Sequence, residues 1–244
     1  MLLSKAFVLL GVLVTFSSSA PVAAPPDSAA PVDDEVDEAP PNDYPEKRRS
    51  MWRADGVEFQ TLVDSGGFLS KAARNKVKPE YRLSHHVMES TGTLYSIKNT
   101  GYISTTSSFA QGKGMVNSLL KGNGYLYEIG YGRNLIDVNE SLGKYNKFKS
   151  EKEFAAIQKI PLEQIKGYYK FTTNADGRLT KGVYKRNPHF KTMPYEFVQT
   201  SPGMTGPAQH GGPQYSLVGF PDDHEIWKQE PWSMYYDTRL KVDG

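Results

Sequence analysis

The sequence predicts an α+β fold. Short helical patterns and separated strand patterns follow one another without the regular strand-helix alternation that a doubly wound parallel sheet requires. The segment that carries them, residues 50–244, is 195 residues long, enough for one domain with a sizeable core. No internal repeat is visible, and no second domain is expected.

After Arg53, a helix is expected across Val57 to Val63, capped by Asp55, with Phe59 and Val63 at helical spacing and Gly66-Gly67 ending it. Leu94 to Ile97 and Tyr102 to Thr105 read as strands parted by the turn residues Asn99-Thr100-Gly101. Ser107 or Ser108 then caps a helix to Leu120, closed by Gly122-Asn123-Gly124. Tyr125 to Ile129 alternates and is aromatic, which reads as a strand, and Leu135 to Val138 as a further strand or sheet edge. Ser150 is expected to begin a short helix carrying Glu151 and Glu153. Pro161 to Ile165 forms a single helical turn, and Gly167 to Phe171 another aromatic strand. The last forty residues, rich in Pro, Gly, Tyr and Trp, are expected to wrap the core irregularly, anchored by Trp227 and Trp232.

The N-terminus reads differently. Lys5, the apolar stretch Ala6 to Phe16 and the small residues Ser17 to Ala20 have the layout of a secretory signal peptide, residues 1–20, too short to span a bilayer comfortably. Residues 21–49 then form a Pro- and Ala-rich segment whose eight acidic residues precede the cluster Lys47-Arg48-Arg49. Such a composition cannot bury enough apolar surface to fold. The basic cluster reads as a processing site that leaves a mature domain, 50–244; an uncleaved flexible tail is the plainer alternative. The predicted product is exported, with no stable membrane anchor.

Residues 50–244 carry 25 Lys plus Arg against 19 Asp plus Glu, a net charge of +6. The excess suits acidic or phosphate-bearing ligands but lacks the clustered stripe that would argue for nucleic acid, which is not an expected partner. The chain has no cysteine, which excludes disulfides, a thiol nucleophile and cysteine metal sites; no metal is expected. Asn139-Glu140-Ser141 matches an N-glycosylation acceptor.

One ordered set of residues points to chemistry. Arg53 is followed about fifty residues on by the hydroxyl-rich strand holding Ser104, and about fifty further by Glu151-Lys152-Glu153. Each has an ordinary reading. Ser150-x-x-Glu153 is a capping box, Glu151 a first-turn carboxylate, Ser104 and Thr105 strand residues and Arg53 a surface cation. Together they supply what cleavage of NAD requires. The planar fork of Arg53 suits a pyrophosphate, and Ser104 can hold a pocket wall by hydrogen bonds. Breaking the nicotinamide–ribose bond builds positive charge on the sugar, which Glu153 would stabilise, while Glu151 would orient a guanidinium acceptor.

The chain resembles the catalytic A chains of cholera toxin and the heat-labile enterotoxins, arginine-specific mono-ADP-ribosyltransferase toxins. The resemblance is carried, in order, by Trp52-Arg53-Ala54-Asp55, Asp64-Ser65-Gly66-Gly67, Gly101 to Thr105, Val138 to Gly143, Glu151-Lys152-Glu153 and Ile160 to Tyr169. Its most distinctive stretch is Gly219 to Trp227 with Glu230-Pro231-Trp232. It implies a single ADP-ribosyltransferase-like domain with a split β-sandwich core and short peripheral helices.

It also implies site roles. Arg53 matches the NAD-contacting arginine, Ser104 the first residue of the Ser-Thr-Ser motif with Thr105 beside it, Glu151 the acceptor-orienting glutamate and Glu153 the catalytic one. The active-site histidine falls at His86, with His85 left possible by a one-residue difference in spacing. Thr106 replaces the motif's last serine and keeps its hydroxyl. The implied activity is transfer of ADP-ribose from NAD to an arginine of a host protein, releasing nicotinamide. An NAD glycohydrolase and a catalytically idle binding protein are the alternatives. The cysteine-bounded loop of the toxins has no counterpart, which puts reductive release and docking to a receptor-binding pentamer in question.

Overall fold

The computed structural model describes residues 50–88, 99–191 and 212–242. The leader, the acidic segment and the expected strand Leu94 to Ile97 lie outside them. Ten strands and five short helices alternate irregularly among the described residues, the expected α+β class. The main sheet is antiparallel, built from β1 (Ser50–Asp55), β3 (Tyr102–Thr106), β4 (Gly124–Gly130), β5 (Leu135–Asp137), β6 (Glu153–Ile157), β8 (Ile165–Thr173), β9 (Leu179–Lys181) and β10 (Lys185–Arg186). Its order is β10-β8-β4-β1-β3-β6-β5, with β9 also on β8, while β2 (Gly67–Leu69) and β7 (Lys159–Pro161) form a second, two-stranded sheet.

The main sheet nearly comes apart at its middle. β1 pairs with β4 over six residues, and β3 with β6 over five, but β1 and β3 share only the register pair Trp52↔Thr106. Two well-bonded halves therefore meet at one point, and Arg53 stands on one side of the gap with Ser104 on the other.

Successive residues of each strand face opposite cores. On β3, Ile103 joins Met51, Tyr127, Phe154 and Phe68, whereas Tyr102 joins Ala155, Ile157, Trp227 and Trp232. Trp52 faces a third cluster with Val116, Leu126 and Phe171. Gly112 of α4 (Phe109–Leu119) lets that helix close on β1 and β4, for a Cβ there would lie 2.7 Å from Leu126 and 3.2 Å from Trp52. Trp232 is 7% exposed and its Nε1 donates to the Ser141 carbonyl at 2.8 Å, the anchoring expected of the C-terminal segment.

Several elements follow their local signals. Ser108 caps α4 by accepting from Gln111 N–H, and Gly66, at φ 68°, ends α1 (Phe59–Ser65) in the left-handed conformation that glycine favours. Others do not. Asp55 does not cap α1; the helix starts later, after Glu58, and Asp55 Oδ1 instead accepts from Val57 N–H at 3.0 Å. Asp137 ends β5 and caps a helix not foreseen, α5 (Val138–Leu142). The expected helix from Ser150 is absent. Lys149–Glu151 is a single 3-10 turn, Lys152 turns left-handed at φ 48°, and Glu153 is the first residue of β6. No helix among the described residues is long and apolar enough to cross a membrane.

Candidate active site

The gap between the two sheet halves holds a cavity of about 190 Å³, lined among others by Arg53, Ser104, His86, Tyr102, Lys71 and Arg74. Four elements supply these side chains. β1 gives Arg53, β3 gives Ser104 and Tyr102, α2 (Lys71–Asn75) gives Lys71 and Arg74, and α3 (Leu83–Met88) gives His86.

Thr106 pairs with Glu153 and Ser104 with Ala155, so Ser104 and Glu153 are diagonal neighbours on one face of the β3-β6 ladder. His86 joins them. Its Nε2 lies 3.1 Å from Glu153 Oε1 and 3.2 Å from Ser104 Oγ, and its Nδ1 lies 3.0 Å from Thr100 Oγ1. Thr100 Oγ1 also accepts from Tyr102 N–H at 3.2 Å, which ties the ring to the start of β3. Of the two adjacent histidines, His86 is buried within this cluster, while His85 is partly exposed and faces Glu80 at 4.0 Å. The capping-box geometry is not formed: the Glu153 side chain bonds His86 and Ser104.

Glu153 is 7% exposed. Burial alone would push its carboxyl up, but the His86 contact, the Ser104 hydrogen bond and the Arg53 charge outweigh it and hold the group below the ordinary glutamate value. Glu153 is thus kept ionised. Glu151 behaves oppositely: half-buried at the end of the turn, it is raised by desolvation and then by the Glu153 charge. Two carboxylates two residues apart have been driven in opposite directions, an arrangement suited to separate roles.

Arg53 is fixed from three sides. Its Nη1 donates to the Ser104 carbonyl at 2.8 Å, its Nη2 to Asp55 Oδ2 at 2.6 Å, and its guanidinium carbon stands 5.1 Å from the Phe68 ring centre. Its Nε is buried without a hydrogen-bond partner among the described residues. A buried donor left open on a residue that lines a cavity suits an anionic ligand, and Lys71 and Arg74 add two cations to the same wall.

Thr105 does not line the cavity. Alternation turns it away from Ser104, and its Oγ1 donates to the Phe154 carbonyl at 2.6 Å, holding β3 to β6. Glu153 is outside the lining as well and is joined to it through His86 and Ser104. Asp55, Thr100, Lys71 and Arg74 are not site candidates in the sequence, where Asp55 is expected as a helix cap and Thr100 as a turn residue. Arg53-x-Asp55, with both residues on one face of a strand, carried a signal for the first; Lys71 and Arg74 look like ordinary surface cations until α2 folds over the gap. Asn139, the glycosylation candidate, uses its amide internally: Nδ2 donates to the Lys149 carbonyl at 3.0 Å and Oδ1 accepts from Asn146 at 2.6 Å.

Residues 43–240 match the family model described as heat-labile enterotoxin alpha chain. The A chain of heat-labile enterotoxin IIB from Escherichia coli is 28% identical over 194 residues, covering 78% of this chain and 69% of the relative. The A chain of cholera enterotoxin from Vibrio cholerae is 27% identical over 187 residues, covering 75% and 68%. An NAD(+)–arginine ADP-ribosyltransferase of Vibrio cholerae, Chelt, is 31% identical over 191 residues, covering 75% of this chain and 29% of its own. Among solved structures, a mutant E. coli heat-labile enterotoxin superposes with a TM-score of 0.58 and 27% identity, covering 76% of this chain and 96% of the other. The split antiparallel sheet, the residues gathered at its gap and these matches agree, and the chain belongs to the heat-labile enterotoxin alpha chain family, with its α+β ADP-ribosyltransferase fold.

Proposed function

We propose that this chain transfers ADP-ribose from NAD to an arginine of a host protein. The observation that carries the reading is the buried, ionised Glu153, clamped by His86 and Ser104, with Glu151 two residues earlier shifted the other way. The bond between ribose C1′ and the nicotinamide nitrogen breaks, and its electron pair leaves with nicotinamide, neutralising the ring. Positive charge gathers at C1′, where the Glu153 carboxylate stabilises it. Arg53, Lys71 and Arg74 hold the pyrophosphate. An arginine nitrogen then bonds C1′ and gives up a proton, which Glu151 is suited to orient and accept because its carboxyl is raised.

Residues 1–20 are read as a signal peptide and 21–49 as an acidic pro-segment removed after Arg49, so that the enzyme acts outside the producing cell. The test of the reaction follows released nicotinamide and labelled agmatine separately. Glu153→Ala should remove both by roughly a hundredfold or more, whereas Glu151→Ala should spare much of the nicotinamide release and lose the labelled agmatine. Equal loss of both signals in the two variants would defeat this division of labour.

A further inference from the structure

The chain entering the acceptor side of the site is strongly basic. Between Gly143 and Lys152 stand Lys144, Lys147, Lys149 and Lys152 against one carboxylate, Glu151, and all four lysines are exposed. Lys147, Lys149 and Lys152 form no ion pair with any described residue. Lys144 lies over the Tyr145 ring at 5.1 Å, and the Tyr145 hydroxyl donates to Glu225 at 2.6 Å.

This basic turn is held firmly. The carbonyls of four consecutive residues each accept a bond from a different donor: Lys149 from Asn139 Nδ2 at 3.0 Å, Ser150 from Gln111 Nε2 at 2.9 Å, Glu151 from Thr106 Oγ1 at 2.7 Å and Lys152 from Ser107 N–H at 3.1 Å. Three uncompensated cations on a fixed backbone repel one another at a cost in stability, and their field is offered to whatever approaches Glu151. Glu151, between Lys149 and Lys152 in the chain, calls for a cation. A surface that satisfies both presents one positive group surrounded by negative ones.

We propose that this turn docks the acceptor protein through an acidic patch flanking its target arginine; the proposal rests on the transfer reading above. A nucleic acid fits worse. It would set phosphates against Glu151 and offer that carboxylate no guanidinium.

The purified chain is given NAD and, separately, agmatine, an arginine peptide with aspartates and glutamates beside the arginine, the same peptide with lysines there, and a DNA oligonucleotide. The acid-flanked peptide should be used with kcat/KM about tenfold above the lysine-flanked one, and the preference should fade with added salt. In Lys147→Glu/Lys149→Glu the preference should vanish or reverse while nicotinamide release stays unchanged, and agmatine, itself a dication, should be labelled no less than before. Lys147→Ala/Lys149→Ala serves the same purpose, with a partial loss, if charge reversal disturbs folding. Equal use of the two peptides by the unaltered chain, a preference retained in both variants, or label on the oligonucleotide in place of the peptides would overturn the proposal. Nicotinamide release with no label on agmatine or either peptide is a different failure, which defeats the transfer reading itself and the docking with it.

Discussion

His86 Nε2 and Glu153 Oε1 stand 3.1 Å apart, both buried, on elements 67 residues apart in the chain. Neither has this partner in the unfolded chain. The contact is a principal reason the Glu153 carboxyl lies below its ordinary value despite burial. In His86→Ala burial goes less opposed, so the Glu153 carboxyl should rise and the acid limb of NAD cleavage should move to higher pH. The rate well above that limb should fall about tenfold to a hundredfold, the scale of one lost charge-assisted hydrogen bond. A pH profile of nicotinamide release checks both effects, and an unmoved acid limb would mean that His86 only fills space.

The two glutamates should also part in a stability measurement. Glu153 has a lowered carboxyl, so it contributes stability above the ordinary glutamate value that is lost as pH falls through its folded one. Glu151 has a raised carboxyl, so its protonated form favours the fold at low pH and its charge disfavours the fold as pH rises past the ordinary value. Glu151→Gln should therefore raise Tm at pH 7, and the gain should shrink toward zero below pH about 4, under the ordinary glutamate pKa. Thermal melts across that range test the sign. A gain independent of pH would assign the effect to packing.

Arg74 is a test of the cavity wall that the sequence did not single out. It lines the cavity together with Arg53 and Lys71, and it lies in the last turn of α2. If its charge meets the pyrophosphate, it does so equally in the bound ground state and in the transition state. Arg74→Ala should then raise KM for NAD roughly tenfold, the lower end for one charged hydrogen bond, and leave kcat within about twofold. Steady-state kinetics with NAD varied separate the two parameters, and a fall in kcat at constant KM would contradict the assignment.

Much of the fold was legible because its signals were local. The alternating aromatics of Tyr125 to Ile129, the Ser108 cap and Gly66 after α1 each act within a few residues. Ser150-x-x-Glu153 is equally local, and it misleads. Ala155 and Ala156 favour helix by propensity, yet β6 runs between β3 and β5 with both faces buried, where small residues fit, and Lys152 at φ 48° breaks the helix before it can form. Arg53, Ser104 and Glu153 had meaning in the sequence through their order and a family resemblance, because two successive strand pairings, β1 with β3 and β3 with β6, bring together residues about fifty apart. Thr100 became visible only through the His86 ring it holds, and Asp55, expected in the sequence as a helix cap, shows its role only as the partner of the Arg53 fork.

Asn139 links the two parts of the reaction in a way that can be cut. Its amide holds the Lys149 carbonyl and accepts from Asn146, whose own Oδ1 accepts from Phe148 N–H at 2.9 Å, so one chain of amides runs from α5 to the turn before Glu151. Glu153 is held separately, by β6 pairing, His86 and Ser104. Asn139→Ala removes the bond to Lys149 and leaves the Asn146 amide without its acceptor, costing about 1–3 kcal/mol if water does not replace them. The turn should loosen while the ribose side of the site stays formed. Agmatine labelling should therefore fall several-fold more than nicotinamide release, and Tm should drop by a few degrees. Measuring both products from one reaction gives the ratio directly. An equal fall in the two would show that the turn and the Glu153 cluster move as one unit, and that Glu151 cannot be displaced without disturbing its neighbour.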